Sequence, residues 1–118
     1  MRPDPVKKAN TVDVISYGKT MVIEGRDITH LEGEGNYTFV HTLQGKKYLV
    51  SKTMKTLQAN LSDDFIRVHK SFTINADHLI SWVEPSYLLL SSGARLPVAR
   101  RRTRKIVEKL ATVSQRVW

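Results

Sequence analysis

Cysteine is absent from the 118 residues of this chain, which excludes disulfides and thiolate zinc sites and fits a cytoplasmic protein. No apolar run approaches the roughly 20 residues that a membrane-spanning helix needs. The opening Met-Arg-Pro-Asp-Pro-Val-Lys-Lys also lacks the apolar stretch of a signal peptide. Histidine is sparse and scattered: His30, His41, His69 and His78 show no close metal-binding pair, so structural or surface roles are expected. Clustered carboxylates are missing too. Asp63-Asp64 lies between a helix signal and a strand signal, which marks a solvated turn and not a general acid/base pair. Gly33-Glu34-Gly35 lacks the third glycine of a dinucleotide loop and leads into a strand, so it reads as a turn. These gaps weigh against a metal-dependent nuclease or a similar enzyme. No catalytic residue, metal or cofactor is expected.

What the chain does hold is a modest core and an uneven charge. A hydrophobic fraction of 41% over this length is that of one globular domain. The net charge is +8. Residues 1–94 carry 11 Lys and Arg against 10 Asp and Glu, whereas residues 95–118 carry 8 against 1. The excess therefore starts at Arg95 and centres on the run Arg100, Arg101, Arg102, Arg104 and Lys105. A basic run is ordinarily a solvated face. Concentrated at one end, it also suits a polyanion, either nucleic acid or an anionic membrane surface.

Residues 1–10, with two prolines and little apolar content, read as a flexible arm or linker remnant whose removal should leave folding nearly intact. The domain proper is expected over 11–118. Strand signals at 11–17 and 20–24 flank Gly18-Lys19, which suits a type II′ hairpin. Strands follow at 28–32, 36–43 and 46–50, the last two joined by a turn at Gln44-Gly45. Met54, Leu57 and Leu61 then share one helical face, with Ser51 as a plausible N-cap. Further strands are expected at 79–83, stopped by Glu84-Pro85, and at 87–90 and 95–98 around Ser91-Ser92-Gly93. A final helix over about 100–113 would bury Ile106, Val107, Leu110 and Val113. Without βαβ alternation, the chain reads as mainly β, roughly nine or ten strands with two helices as side elements.

Two stretches ask for more than a core. In residues 65–75, period-two alternation puts Ile66, Val68, Lys70, Phe72 and Ile74 on one face. An unpaired buried ammonium costs several kcal/mol. Either an acidic partner meets Lys70, or the strand breaks near His69 and Lys70-Ser71 form an exposed bend between two sheets. At the final helix, arginines crowd the end where the helix dipole disfavours cations by about 0.3–1 kcal/mol each. Either an anion binds there, or the helix starts a turn later and the arginines occupy a loop. Asn75 is expected to fix a local turn through its side chain.

In order along the chain come Asp27-Ile28-Thr29-His30-Leu31-Glu32, Gly35-Asn36-Tyr37, Tyr48-Leu49-Val50-Ser51-Lys52-Thr53-Met54, Phe65-Ile66-Arg67-Val68-His69-Lys70-Ser71 with Asn75, and Leu96-Pro97-Val98-Ala99-Arg100-Arg101-Arg102. Over about residues 23–110 this series resembles the LytTR-type DNA-binding domain, the output module of a class of bacterial response regulators. The resemblance implies an elongated mainly β fold of about ten strands in three antiparallel sheets, with a short central helix and a C-terminal helix. It implies loops, not a recognition helix, entering successive major grooves. Carried over by position, Asn36, Tyr37, Lys70 and Arg100 would read bases, and Ser51, Lys52, Thr53 and Ser71 would touch phosphate. Lys70 would then stand at the bend. Arg101, Arg102, Arg104 and Lys105 are expected to neutralise phosphates by their charge. Ala99 stands where family members often have Ser, which puts one phosphate hydroxyl or helix cap in doubt.

The function expected is a sequence-specific regulator of transcription on double-stranded DNA, of the two-component type. The resemblance implies imperfect direct repeats, a dimer on DNA and a monomer when free. The chain is either part of a longer protein or a stand-alone regulator, and in the second case a receiver or sensor partner would be supplied elsewhere. The alternative is a basic protein-interaction or anionic-surface-binding module. Against membrane attachment, the basic residues do not lie on an amphipathic helix with exposed aromatics.

Overall fold

The computed structural model describes residues 8–83 and 87–117, with side chains to Val113. Strands β1 (Thr11–Ser16) and β2 (Lys19–Glu24) form a two-stranded antiparallel sheet. Their turn is Tyr17-Gly18, not Gly18-Lys19, because Ser16 pairs with Lys19. Both turn residues have positive φ, 51° and 75°, the type I′ pattern and not the type II′ expected. The observed register sets Val12 opposite Ile23 and Val14 opposite Met21. A turn one residue later would put Val12 opposite Gly25, whereas the observed register keeps the buried Val12 opposite the buried Ile23.

The central sheet has five strands, β3 (Ile28–Glu34), β4 (Tyr37–Thr42), β5 (Lys47–Val50), β6 (Phe65–His69) and β7 (Phe72–Asn75), in the order β5-β4-β3-β7-β6. Strand β3 runs through Gly33 and Glu34, so the turn narrows to Gly35-Asn36, with Gly35 at φ 61°. Lys70-Ser71 do form a bend, with Lys70 exposed and Ser71 partly buried. It is a hairpin turn within one sheet, however, and not a joint between two sheets, since β6 and β7 pair directly. A third sheet, in the order β10-β9-β8, comprises β8 (Leu79–Val83), β9 (Tyr87–Leu90) and β10 (Arg95–Pro97). The expected stop at Glu84-Pro85 lies outside the described residues.

Two cores lie on opposite faces of the central sheet. Val12, Val14 and Ile23 of the first hairpin pack with Leu31, Val40, Phe65 and the buried side of helix α1 (Met54–Gln58). Ile66, Val68 and Ile74 pack with Leu88, Leu90, Leu96 and Ile106 of helix α2 (Thr103–Val117). Alternation in β6 thus feeds both cores, Phe65 one and Ile66 and Val68 the other. Asn75, opposite Phe65, is buried. Its amide donates to the carbonyls of Gly25 at 3.1 Å and Ile28 at 2.9 Å, and its oxygen accepts from Asp77 N at 3.0 Å.

Three expectations shift. Helix α1 is capped by Thr53, whose hydroxyl accepts from Thr56 N at 3.2 Å, and not by Ser51. Val107 is 53% exposed, so the inner stripe of α2 is Ile106, Leu110 and Val113, in keeping with a step of about 100° per residue. At the boundary drawn at residue 10, Asn10 is bonded to residues of the domain. Asn10 N donates to Asn60 O at 2.8 Å, its carbonyl accepts from Gly25 N at 2.7 Å, and its side-chain oxygen accepts from Ser62 N at 2.9 Å. Lys8 reaches Asp63 at 3.5 Å.

Candidate nucleic-acid interface

Three connections leave the same end of the central sheet: the β3–β4 turn, the segment after β5, and the β6–β7 turn. Antiparallel pairing dictates this, because Glu34 faces Tyr37, Val50 faces Thr38, and both Glu32 and His69 face Phe72. Asn36, Tyr37, Ser51, Lys52, Thr53, Lys70 and Ser71 are thereby gathered on one rim. All are exposed except Ser71, which is partly buried.

Each segment is held from below. The buried Thr38 donates its hydroxyl to Lys52 O at 2.7 Å and fixes residues 51–53 against the start of β4. Gly33 N donates to Ser71 O at 2.8 Å, joining the β6–β7 turn to β3. A Cβ at Gly33 would lie 3.2 Å from Met54 Cε, so α1 packs closely over this point of β3. Ser71 N donates to His69 Nδ1 at 3.1 Å, and the His69 ring lies 5.8 Å from that of Phe72. Arg67 Nε donates to His69 O at 2.9 Å, and Arg67 Nη2 donates to Lys70 O.

The arginine run lies beside that rim. Ala99 N donates to Val68 O at 2.9 Å, which lays residues 99–102 along the open edge of β6. Arg100–Arg102 form a 3₁₀ turn ahead of α2, which begins at Thr103. Arg100, Arg101 and Arg102 therefore precede the helix, as in the second of the two sequence alternatives, whereas Arg104 lies in its first turn. Ala99 caps this turn through its carbonyl, which accepts from Arg102 N at 2.9 Å, with no side-chain bond. Arg100 and Arg101 are exposed and Arg102 is half-buried. Arg104 pairs with Glu108 at 3.7 Å along the helix, and Lys105 is exposed. Across the sheet end, Lys70 lies between Asn36 and Arg100.

Behind the rim, the rings of His30 and His41 stack at 4.0 Å, and His41 Nε2 lies 3.0 Å from Glu32 Oε1. Burial, then the neighbouring His41, lower the His30 pKa to about 3, so the ring stays neutral and shares a hydrogen bond of 2.9 Å with Thr29. Among the described residues no three His, Cys, Asp or Glu side chains converge to hold a metal. No described helix is long and apolar enough to cross a membrane. The turn-holding role of Arg67 was not legible in the sequence, where alternation showed only a polar residue facing away from Ile66 and Val68.

The LytTr DNA-binding domain profile matches residues 18–111. The chain belongs to the LytTr DNA-binding domain family. That family is defined by DNA binding and not by catalysis. Sensory transduction protein LytT of Bacillus subtilis is 31% identical over 102 residues, a match spanning 81% of this chain and 42% of the relative. The heme-containing CO-sensing transcriptional regulator RcoM 2 of Paraburkholderia xenovorans is 28% identical over 108 residues, spanning 86% of this chain and 40% of the relative. The chain thus matches about two fifths of the length of these curated relatives. A solved LytTr DNA-binding domain from Bacillus cereus superposes with a TM-score of 0.76 over 86% of this chain and 96% of that one, at 20% identity. This LytTr domain thus has the family's fold, mainly β in three antiparallel sheets.

Proposed function

We propose that this LytTr domain binds double-stranded DNA sequence-specifically and regulates transcription as the cytoplasmic output module of a two-component response regulator. The observation that carries this reading is the single rim on which exposed Asn36, Tyr37 and Lys70 stand, with Arg100 on the turn beside it. Arginine and lysine donate to guanine O6 and N7, and asparagine pairs with the N6/N7 edge of adenine. In this reading Asn36, Tyr37, Lys70 and Arg100 read bases in successive major grooves. Ser51, Lys52, Thr53, Ser71, Arg101, Arg102, Arg104 and Lys105 hold phosphate and so set the register. Counterion release by these cations supplies much of the affinity. The site is a pair of imperfect direct repeats, each holding one copy, and the free domain is a monomer. A receiver or sensor unit supplies the signal.

Neighbouring arginines test the division of labour. Arg100→Ala should cost about 1–3 kcal/mol on the best site and flatten the preference at a few adjacent bases. Arg101→Ala should weaken specific and random duplex alike and lower the salt slope by about one unit. Binding to the best site, its single-base variants and random duplex across salt separates the two. Equal loss on every duplex for Arg100→Ala would make that residue an electrostatic anchor and not a reader.

A further inference from the structure

Arg67 takes no part in the base-reading or phosphate-holding sets above, yet its guanidinium is committed to the Lys70 turn. Its Nε donates to the carbonyl of His69 and its Nη2 to that of Lys70. Those two carbonyls belong to the peptide groups on either side of the Lys70 α-carbon. A planar fork that holds both fixes the backbone from which the Lys70 side chain departs. The opposite side of the turn is fixed by His69 Nδ1 accepting from Ser71 N and by Gly33 N donating to Ser71 O. Lys70 itself is exposed. The protein therefore spends its bonds on the backbone of the turn.

We infer that Arg67 is a positioning residue for DNA reading, setting the direction in which Lys70 leaves the sheet so that the base preference carried by Lys70 depends on Arg67. The inference rests on the reading of Lys70 proposed above. Arginine is the residue suited to this place. Lysine would keep the charge, but its single ammonium cannot present two parallel donors to two carbonyls in a fixed plane. Charge supplies a second link to DNA. Arg67 lies near Arg102, and burial followed by that neighbour lowers the guanidinium's pKa. Among the described residues neither arginine forms an ion pair with a carboxylate. A phosphate at Arg102 would relieve the repulsion between them, so contact with the backbone of DNA stabilises the same turn that presents Lys70.

The test compares the wild-type chain with Arg67→Lys, Arg67→Ala, Lys70→Ala and the double variant Arg67→Ala/Lys70→Ala. Thermal unfolding is measured for each, together with affinity for the best selected duplex, its single-base variants and random duplex. Lys70→Ala serves as the reference: it defines the base positions that Lys70 reads. Arg67→Lys should stay folded, keep the salt slope, and lose discrimination at those same positions by about tenfold. Arg67→Ala should lose it there as well, and the double variant should discriminate no worse than Lys70→Ala alone. Full discrimination by Arg67→Lys would overturn the inference, since charge alone would then suffice. So would additive losses in the double variant, a uniform loss on all duplexes, or unfolding of Arg67→Lys, which would make Arg67 a determinant of the fold. If Lys70→Ala leaves every base preference unchanged, the reading of Lys70 fails first and the inference falls with it.

Discussion

Asn10 holds φ at 58°, a left-handed conformation that asparagine tolerates better than most residues, and its side-chain oxygen accepts from Ser62 N at 2.9 Å. Its side chain also fills the space in which a Cβ on Gly25 would fall, 2.3 Å from Oδ1. Asn10→Ala should therefore destabilise by about 1–3 kcal/mol in thermal or urea unfolding. Removal of residues 1–10 should cost at least as much. Loss of less than about half a kcal/mol in either variant would return this residue to a dispensable arm. The sequence could not reveal this, because bonds from Asn10 to residues 25, 60 and 62 leave no local periodicity. Lys70 was legible for the opposite reason: a cation inside an apolar alternation conflicts with its neighbours, and the conflict points to a turn. His30 gives a pH test. Its folded pKa is about 3 against an ordinary 6.5, so below 6.5 the unfolded chain binds a proton that the folded chain refuses. This contribution to stability is whole above 6.5 and falls as pH drops toward 3, by at most about 1.4 kcal/mol per unit. His30→Gln should flatten that part of the stability profile between pH 7 and 4. An unchanged slope would show that His30 does not refuse the proton.

The first hairpin shows why strand existence was readable and its turn was not. Alternation located β1 and β2, but Gly18-Lys19 read as a type II′ turn, and the register places the turn one residue earlier, at Tyr17-Gly18. The outcome places a fully exposed Tyr17 at φ 51°. Tyr17→Asn should raise stability by about 0.5–1 kcal/mol, because Asn-Gly is the preferred type I′ pair and no packing is lost. A lowered melting temperature would mean that the exposed ring makes contacts worth more than the strain. At α2, the sequence misplaced one side chain and the starting residue. Val107 is one helical step from Ile106, and one step turns a side chain out of the stripe. Arg100–Arg102 lie in a 3₁₀ turn, and Ala99 ahead of them bonds to β6, a tertiary contact that composition does not announce.

The whole chain is organised by a central sheet covered on both faces, which leaves one end of its strands free. Connections at a strand end need little core, so they can carry polar and cationic side chains while the covered faces keep them in place. That division explains how a chain with a balance near zero through residue 94 presents cations beside its rim: Arg100, Arg101 and Arg102, part of the excess in 95–118, are set next to β6 by the bond between Ala99 and Val68. Composition located the charge and the resemblance named the residues. The geometry adds which of them share a rim, and that Arg104 leans toward Glu108. Affinity of this domain for a duplex selected from a random pool, measured beside a scrambled duplex across a salt titration, addresses the proposal most directly. Both affinities should fall steeply as salt rises, while a preference of at least about a hundredfold for the selected duplex persists throughout. Equal affinity for the two duplexes at every salt concentration would contradict it, and would make the rim a general polyanion surface.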